Sequence, residues 1–310
     1  MKGALSDIHI NFSEDRLFLL NLALAFIMFG VSLSIDTRNF KEITRNPKSV
    51  ITGFVSQFIL LPALTFVFVY FTKPLEGLAL GLMLVAACPG GNVSNFFSQL
   101  SQGNVALSIS LTAIATIVAS FFTPVNFEFW SNLYMGEHMS QEIRMETFKM
   151  LKTIFTILGA PLLFGLWFKY KFTKLASKIA EPIKLISFLI LIVFIAVSFL
   201  QNLDIFYKYY DYIIYLVFFH NAIALGSGYF FSRLMGNKEQ DNRTISIETG
   251  IQNSALGLVI IFGFFGGNGG MAIITAWWGI WHIIAGIVMS LIFTRGRLFR
   301  FKQVKTAEVN

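Results

Sequence analysis

Residues 77–95 read GLALGLMLVAACPGGNVSN. An apolar run passes directly into a proline, two glycines, two asparagines and a serine, a composition that ends a helix. The run alone is too short to cross ~30 Å of hydrocarbon, which takes about 20 residues. A second segment repeats the pattern, with ETGIQNS (248–254) leading into ALGLVIIFGFF (255–265). Each interrupted segment is followed closely by a full apolar span, at 105–125 and 271–293. A matched pair of short, broken spans in corresponding positions points to a secondary transporter built from inverted repeats.

Composition sets the solvent. Of 310 residues, 55% are hydrophobic and 13% charged, and the mean hydropathy is +0.67; soluble domains carry about 25% charged residues. The expected fold is all-α and polytopic, with about nine transmembrane helices near 17–35, 48–71, 77–101 (interrupted), 104–125, 148–168, 183–200, 211–232, 244–265 (interrupted) and 270–294. A polar tail with Asp7, Glu14 and Asp15 precedes the first span and shows no small-residue cleavage site, so that span reads as retained. The single cysteine, Cys88, excludes an intrachain disulfide, and no zinc or haem spacing is present.

The net charge of +7 reports topology. Taking alternate loops, 17 of the 24 basic residues collect on one side, in 38–48, 169–184, 233–243 and the tail 295–305. The other side carries the acidic loop with Glu128, Glu137, Glu142 and Glu146. The positive-inside rule places the N-terminus outside and the C-terminus in the cytoplasm of a multi-pass plasma (inner) membrane protein, and nucleic acid is not an expected partner. The expected organisation is an extracytoplasmic tail (1–16), a first repeat (17–125), an extracytoplasmic connection (126–147), a second repeat (148–294) and a basic cytoplasmic tail (295–310).

Backbone that leaves a helix at membrane depth exposes N–H and C=O groups costing several kcal/mol each in lipid. Such a break is tolerated where it lines a cavity; there freed carbonyls can ligate a cation and half-helix N-termini can face an anion. The alternative is that Pro89 merely kinks one helix. Glu248 lies in a span that cannot be lengthened without it, at a cost of roughly 2.5 kcal/mol or more unless paired; the alternative is snorkelling to the interface near Arg243. No Lys or Arg lies deep in a span to pair with it, but oxygen-bearing side chains do: Asn92, Ser94 and Asn95 at the break, Ser108 and Thr112 on one helical face, Gln57, and Gln252 with Asn253. These are hard ligands, and one negative charge among neutral oxygens suits Na⁺ better than Ca²⁺. For Ser108 and Thr112 the alternative is back-bonding to their own helix.

The stretch ACPGGNVSNFFSQLSQGNVALSISLTAIATIVASFFTP (87–124) resembles the signature of the bile acid:sodium symporter family, and ETGIQNSALGL (248–258) its second signature. LAFIMFGVSLSIDTRNF (24–40), NPKSVITGFVSQFILLP (46–62) and the WH of GIWHIIAG (279–286) extend the likeness over about 20–295. The resemblance implies crossing broken helices, with a panel domain (17–35 and 148–200) and a core domain (48–125 and 211–294). It implies two sodium sites, one of Ser94, Asn95, Ser108, Thr112 and Glu248, the other of Gln57, Glu248, Gln252 and the main-chain oxygens of Thr249 and Ile251. A substrate would meet Asn92, Asn253 and His282. Relatives often follow that histidine with Asn, whereas Ile283 stands here, which leaves the substrate open.

The implied function is sodium-coupled symport of an organic anion such as a bile acid, pantoate or another small carboxylate. The competing readings are a proton-coupled carrier using Glu248, an arsenite-type permease using Cys88, and an intramembrane enzyme using Cys88 with His282. The last lacks a motif that sets a base beside the thiol, so no enzymatic activity is expected. Trp277, Trp278, Trp281 and His220 are read as packing residues. The expected partners are sodium, a small organic anion and the bilayer, with no obligate protein partner.

Overall fold

The computed structural model describes residues 22, 25–30, 32–33, 46–91, 93–136, 152, 155–200 and 203–296. The first predicted span (17–35) is described only in part, and Asn92, residues 137–147 of the connection and the tail from 297 lie outside the described residues. Helix α1 (Pro47–Val55) passes through a π-helical turn (Ser56–Leu60) into α2 (Leu61–Thr72). Then come α3 (Glu76–Ala87), α4 (Ser94–Leu100) and α5 (Val105–Met135). A second π-helical turn (Phe155–Gly159) leads into α6 (Ala160–Lys171), α7 (Thr173–Leu200), α8 (Leu203–Leu234), α9 (Glu239–Gly250), α10 (Ser254–Phe264) and α11 (Gly269–Thr294). The described residues are almost wholly helical and contain no strand beyond one isolated bridge, Gly90 to Gln252. Four helical stretches among them are long and apolar enough to cross a membrane: Pro47–Thr72, Val105–Met135, Phe206–Leu234 and Gly269–Thr294.

Both interruptions predicted from the sequence are present. Every residue of α3 from Gly77 to Ala87 is buried, as is α10 from Ser254 to Phe262. Helices apolar on all sides belong inside, and these two form the heart of the largest hydrophobic cluster. Glycines let α3 lie hard against α11: a Cβ at Gly270 would sit 3.0 Å from the Gly77 Cα, the close backbone approach that small residues allow between membrane helices. The outer surface carries exposed Phe71, Phe121, Phe129, Phe164, Phe230 and Ile292. Such a surface would aggregate in water and is at home against lipid tails.

Several boundaries differ from the expected ones: α8 begins at Leu203 ahead of the expected 211, with a kink at Tyr209 (φ -131, ψ 17), α9 begins at Glu239 ahead of 244, and two further differences have a visible cause. Helix α5 runs to Met135, ten residues past the expected end at 125, so the start of the 126–147 connection is helical. Tertiary packing holds that extension: Phe127 meets Phe265 edge-on at 5.3 Å and Trp130 meets Phe66 at 5.4 Å. Gly136, at φ +58, ends it. Helix α7 begins at Thr173, ahead of the expected 183, because residues 174–180 are mostly good helix formers whose charges had marked them as a loop.

The π-helical turn at Ser56–Leu60 has an identifiable cause. Pro62 has no N–H to return to Phe58 O, and Asn126 Nδ2 of α5 donates to that carbonyl at 3.0 Å. π-turns of this kind collect at functional sites, and this one carries Gln57.

Candidate functional site

The chain leaves α3 at Cys88 and α9 at Ile251 in extended conformation. The two extended pieces run antiparallel, with Gly91 N donating to Ile251 O at 2.7 Å and Asn253 N to Pro89 O at 2.9 Å. Other freed carbonyls find side chains: Cys88 O accepts from Gln57 Nε2 (3.0 Å), Thr249 O from Gln252 Nε2 (2.7 Å) and Gly250 O from Asn221 Nδ2 (2.8 Å). Crossing two broken helices thus satisfies groups that neither could satisfy alone. Glycine is required for closeness: a Cβ at Gly91 would lie 3.1 Å from Gln252 O, and one at Gly90 would lie 3.0 Å from Glu248 Oε2.

Glu248, the third residue from the end of α9, is 4% exposed and does not snorkel to an interface. Ser94 Oγ donates to its Oε1 at 2.6 Å, Ser108 Oγ donates to the same oxygen, and Thr112 Oγ1 lies 3.0 Å from Oε2 and 3.3 Å from Oε1. Ser94 and Thr112 are 3.4 Å apart, and Asn95 Oδ1 lies 3.5 Å from Thr112 Oγ1. The back-bonding alternative applies to their neighbours: Ser110 and Thr116 bond the carbonyls of Ala106 (2.8 Å) and Thr112 (2.7 Å). Ser108 and Thr112, on the same helix, turn to Glu248 instead. Three hydroxyls from α4 and α5 therefore converge on the carboxylate of α9, with the Asn95 amide oxygen next to one of them, giving hydroxyl, amide and carboxylate oxygens. Among the described residues no group of three or more His, Cys, Asp or Glu comes together. The donor set has the chemistry of a hard monovalent cation.

A second group forms across the crossing from Glu248's cluster. Gln57 Nε2 donates to Gln252 Oε1 at 2.8 Å, and Gln252 Nε2 returns a bond to Gln57 Oε1 at 3.1 Å. Thr249 O joins them, while Ile251 O is occupied by Gly91 N. No bond joins this group to Glu248 among the described residues. Each amide oxygen accepts one bond from the other's NH₂ group and keeps a second lone pair. Ser56, overlooked in the sequence reading, bonds Thr249 Oγ1 at 2.8 Å and is buried beside Gln57. Asn221, not singled out in the sequence reading, holds the end of α9; an amide in the middle of an apolar span was the available signal.

The expected substrate residues fare differently. Asn253 commits its Oδ1 to capping α10 at Leu256 N, 3.1 Å. His282 is 6% exposed, and its Nδ1 has no partner at hydrogen-bond geometry. One turn further on, Ala285 packs with Phe97, Leu225, Ile247 and Ile251 beside the crossing. His220 is fully used: Trp278 Nε1 donates to its Nδ1 at 2.9 Å, so the proton sits on Nε2, which lies 2.7 Å from Thr65 Oγ1. Trp277 packs on Phe206 (5.1 Å) and Trp281 on Phe218 (5.6 Å). Cys88 is buried in the apolar core.

Comparison with known proteins finds relatives that match most of the chain. The chain is 26% identical to the uncharacterized sodium-dependent transporter YocS of Bacillus subtilis (strain 168), over 89% of this chain and 83% of that one. It is 31% identical to the probable chloroplastic sodium/metabolite cotransporter BASS2 of Oryza sativa subsp. japonica, over 81% of this chain and 58% of the relative. With the probable chloroplastic sodium/metabolite cotransporter BASS1 of Arabidopsis thaliana the identity is 28%, over 88% and 66%. The chain thus spans roughly three-fifths to two-thirds of the plant relatives' length. The model of the Sodium Bile acid symporter family matches residues 21–209, more than half of the chain, including the first break, Gln57 and the Ser108–Thr112 face. The chain belongs to the sodium bile acid symporter family.

Proposed function

We propose that this multi-pass membrane protein is a secondary transporter that couples inward sodium movement to import of a small organic anion by alternating access. The observation that carries the reading is Glu248, buried inside the helix bundle and met by hydroxyls of two other helices where the chain breaks. A lone buried carboxylate is costly, and a bound monovalent cation neutralises it. In this reading Ser94, Asn95, Ser108, Thr112 and Glu248 hold one sodium. Gln57, Gln252 and the Thr249 and Ile251 carbonyls, with Glu248, hold a second. Asn92, Asn253 and His282 face the substrate, whose carboxylate is favoured by half-helix N-termini. The relatives' description as sodium-dependent or sodium/metabolite transporters supports sodium as the coupling ion. Uptake into proteoliposomes, screened over bile acids, pantoate and other carboxylates with and without Na⁺, tests it. Uptake driven by a pH gradient and indifferent to sodium overturns it.

The finer architecture of the proposal is nine spans in two inverted repeats, with panel and core domains. Its support is the recurrence of one pattern: α3, a break, α4 and α5 capped by Asn104, against α9, a break, α10 and α11 capped by Asn268. An odd number of spans puts the termini on opposite faces, the N-terminus outside. Tags at residues 3 and 308 are expected to label from opposite sides of the membrane; labelling from one side means a helix has been miscounted.

Ion side and substrate side are separable. Thr112→Val keeps the shape but deletes one ligand oxygen, so it is expected to raise mainly the half-saturating sodium concentration. His282→Ala is expected to raise mainly the half-saturating substrate concentration and to retain sodium-induced thermal stabilisation. Linkage makes each ligand affect the other's affinity by the same factor, so the decisive measurement is the sodium-induced melting shift without substrate. Loss of that shift in His282→Ala with retention in Thr112→Val overturns the division.

A further inference from the structure

Seven residues before Glu248 lies a second buried carboxylate to which the transport reading gives no role. Asp241, in the first turn of α9, is 3% exposed. Its Oδ2 accepts from Asn46 Nδ2 (2.9 Å) and Ser49 Oγ (2.8 Å) at the start of α1, and its Oδ1 accepts from Asn104 Nδ2 (2.8 Å). Asn104 is the cap of α5, its Oδ1 accepting from Leu107 N at 3.1 Å. Its main chain is bound to α9 as well: Asn104 N donates to Gln240 O and Thr244 Oγ1 donates to Asn104 O, both at 3.2 Å. Gly103 shows how tight the approach is, since a Cβ there would fall 2.5 Å from Thr244 Oγ1 and 3.3 Å from Gln240 O.

Two parallel stripes result. Residues 104, 108 and 112 follow one another at i, i+4 and i+8 along α5, and residues 241, 244 and 248 at i, i+3 and i+7 along α9, so each set lies on one helical face. The first rung, Asn104 to Asp241, is closed at the end of the helices; the last, Ser108 and Thr112 to Glu248, lies one to two turns deeper. A helix is stiff over that length, and hydrogen bonding or ion ligation weakens steeply once distances grow by a few tenths of an ångström.

We propose that Asp241 is a positioning residue for the Glu248 cluster: by clamping the cap of α5 it sets the reach of Ser108 and Thr112 and so the sodium affinity. This rests on sodium binding at Glu248. Partners that orient ligands without touching the ion typically change affinity about 10–100-fold when removed. The test measures sodium-induced thermal stabilisation of the full chain in detergent without substrate, and then the half-saturating concentrations of sodium and substrate in uptake. Asp241→Ala is expected to raise the sodium midpoint about ten-fold or more, with the substrate value at saturating sodium unchanged. Asp241→Asn sets amide donors against each other and is expected to act likewise. The exchange Asp241→Asn with Asn104→Asp restores one donor–acceptor pair, keeps an N-cap, and is expected to recover the wild-type midpoint. If Asp241→Ala does not fold, the Asn variant and the exchange decide the matter. A wild-type midpoint in the single variants overturns the positioning role, as does an exchange no better than Asp241→Asn. If the unmodified chain itself shows no sodium stabilisation, the sodium reading falls and takes this role with it.

Discussion

Glu248→Gln is expected to reduce sodium-dependent uptake to background while the protein still inserts and folds. The substitution preserves volume, and it preserves the hydrogen-bond count. With the amide oxygen in the place of Oε1, Ser94 and Ser108 still have an acceptor, and the new NH₂ group can donate to Thr112 Oγ1. What disappears is the negative charge, which no other residue of the cluster supplies. Glu248→Ala removes the acceptor as well, strands three buried hydroxyls, and is expected to be equally inactive and less stable. The separate readout is thermal. A cation that binds only the folded state at about 100 times its Kd stabilises by ~2.7 kcal/mol. That sodium-dependent increment should vanish in Glu248→Gln, with potassium as the control for ionic strength. A glutamine variant whose melting temperature still climbs with sodium like the wild type would remove Glu248 from the ion site.

The location of the site was legible for a reason particular to membranes. In water a Pro-Gly-Gly-Asn segment is an ordinary loop; between two apolar runs in lipid it leaves backbone groups unpaired unless something meets them. The sequence therefore announced that partners exist at 88–95 and 248–254, and Glu248, Ser94, Ser108 and Thr112 do meet there. It did not say which partner serves which group. That Asn221 holds Gly250 O and Asn126 holds Phe58 O depends on helix placements across 29 and 68 residues of chain. The mutual closure of Gln57 and Gln252 is still less legible, because an amide faces an ion or another amide through a small rotation that leaves no trace in residue order. The length of α5 was misread because polar residues after 125 suggested an exit from the membrane, whereas Phe127 finds an aromatic partner just past α10 and Trp130 finds one on α2. The polar start of α9 misled in the same way. Charges near 238–243 were read as topology alone, yet Asp241 and Asn242 are buried and bonded, Asn242 accepting from Ser232 Oγ at 2.7 Å.

Gly90→Ala is expected to damage transport by acting on sodium affinity first. The added Cβ would lie 3.0 Å from Glu248 Oε2 and 3.3 Å from Glu248 O. Neither neighbour can withdraw cheaply. The main chain on both sides of Gly90 is pinned by the Gly91–Ile251 and Asn253–Pro89 bonds, and the carboxylate is pulled toward Ser94, Ser108 and Thr112. Overpacking of this kind costs about 1–3 kcal/mol. Because the strain falls on the ligand itself, we expect most of it in the sodium midpoint, roughly a ten-fold rise for each 1.4 kcal/mol. No positive φ is involved at Gly90, so the effect is one of space and not of backbone conformation. Gly226 supplies the comparison, since a Cβ there meets nothing within 4 Å; Gly226→Ala, in a helix, is expected to transport like the wild type. Sodium titration of melting temperature and of uptake for both variants reads the difference. Equal behaviour of the two alanine variants would mean that the crossing yields where Gly90 meets Glu248, and that the ion site tolerates a looser geometry than the close approach of these two segments implies.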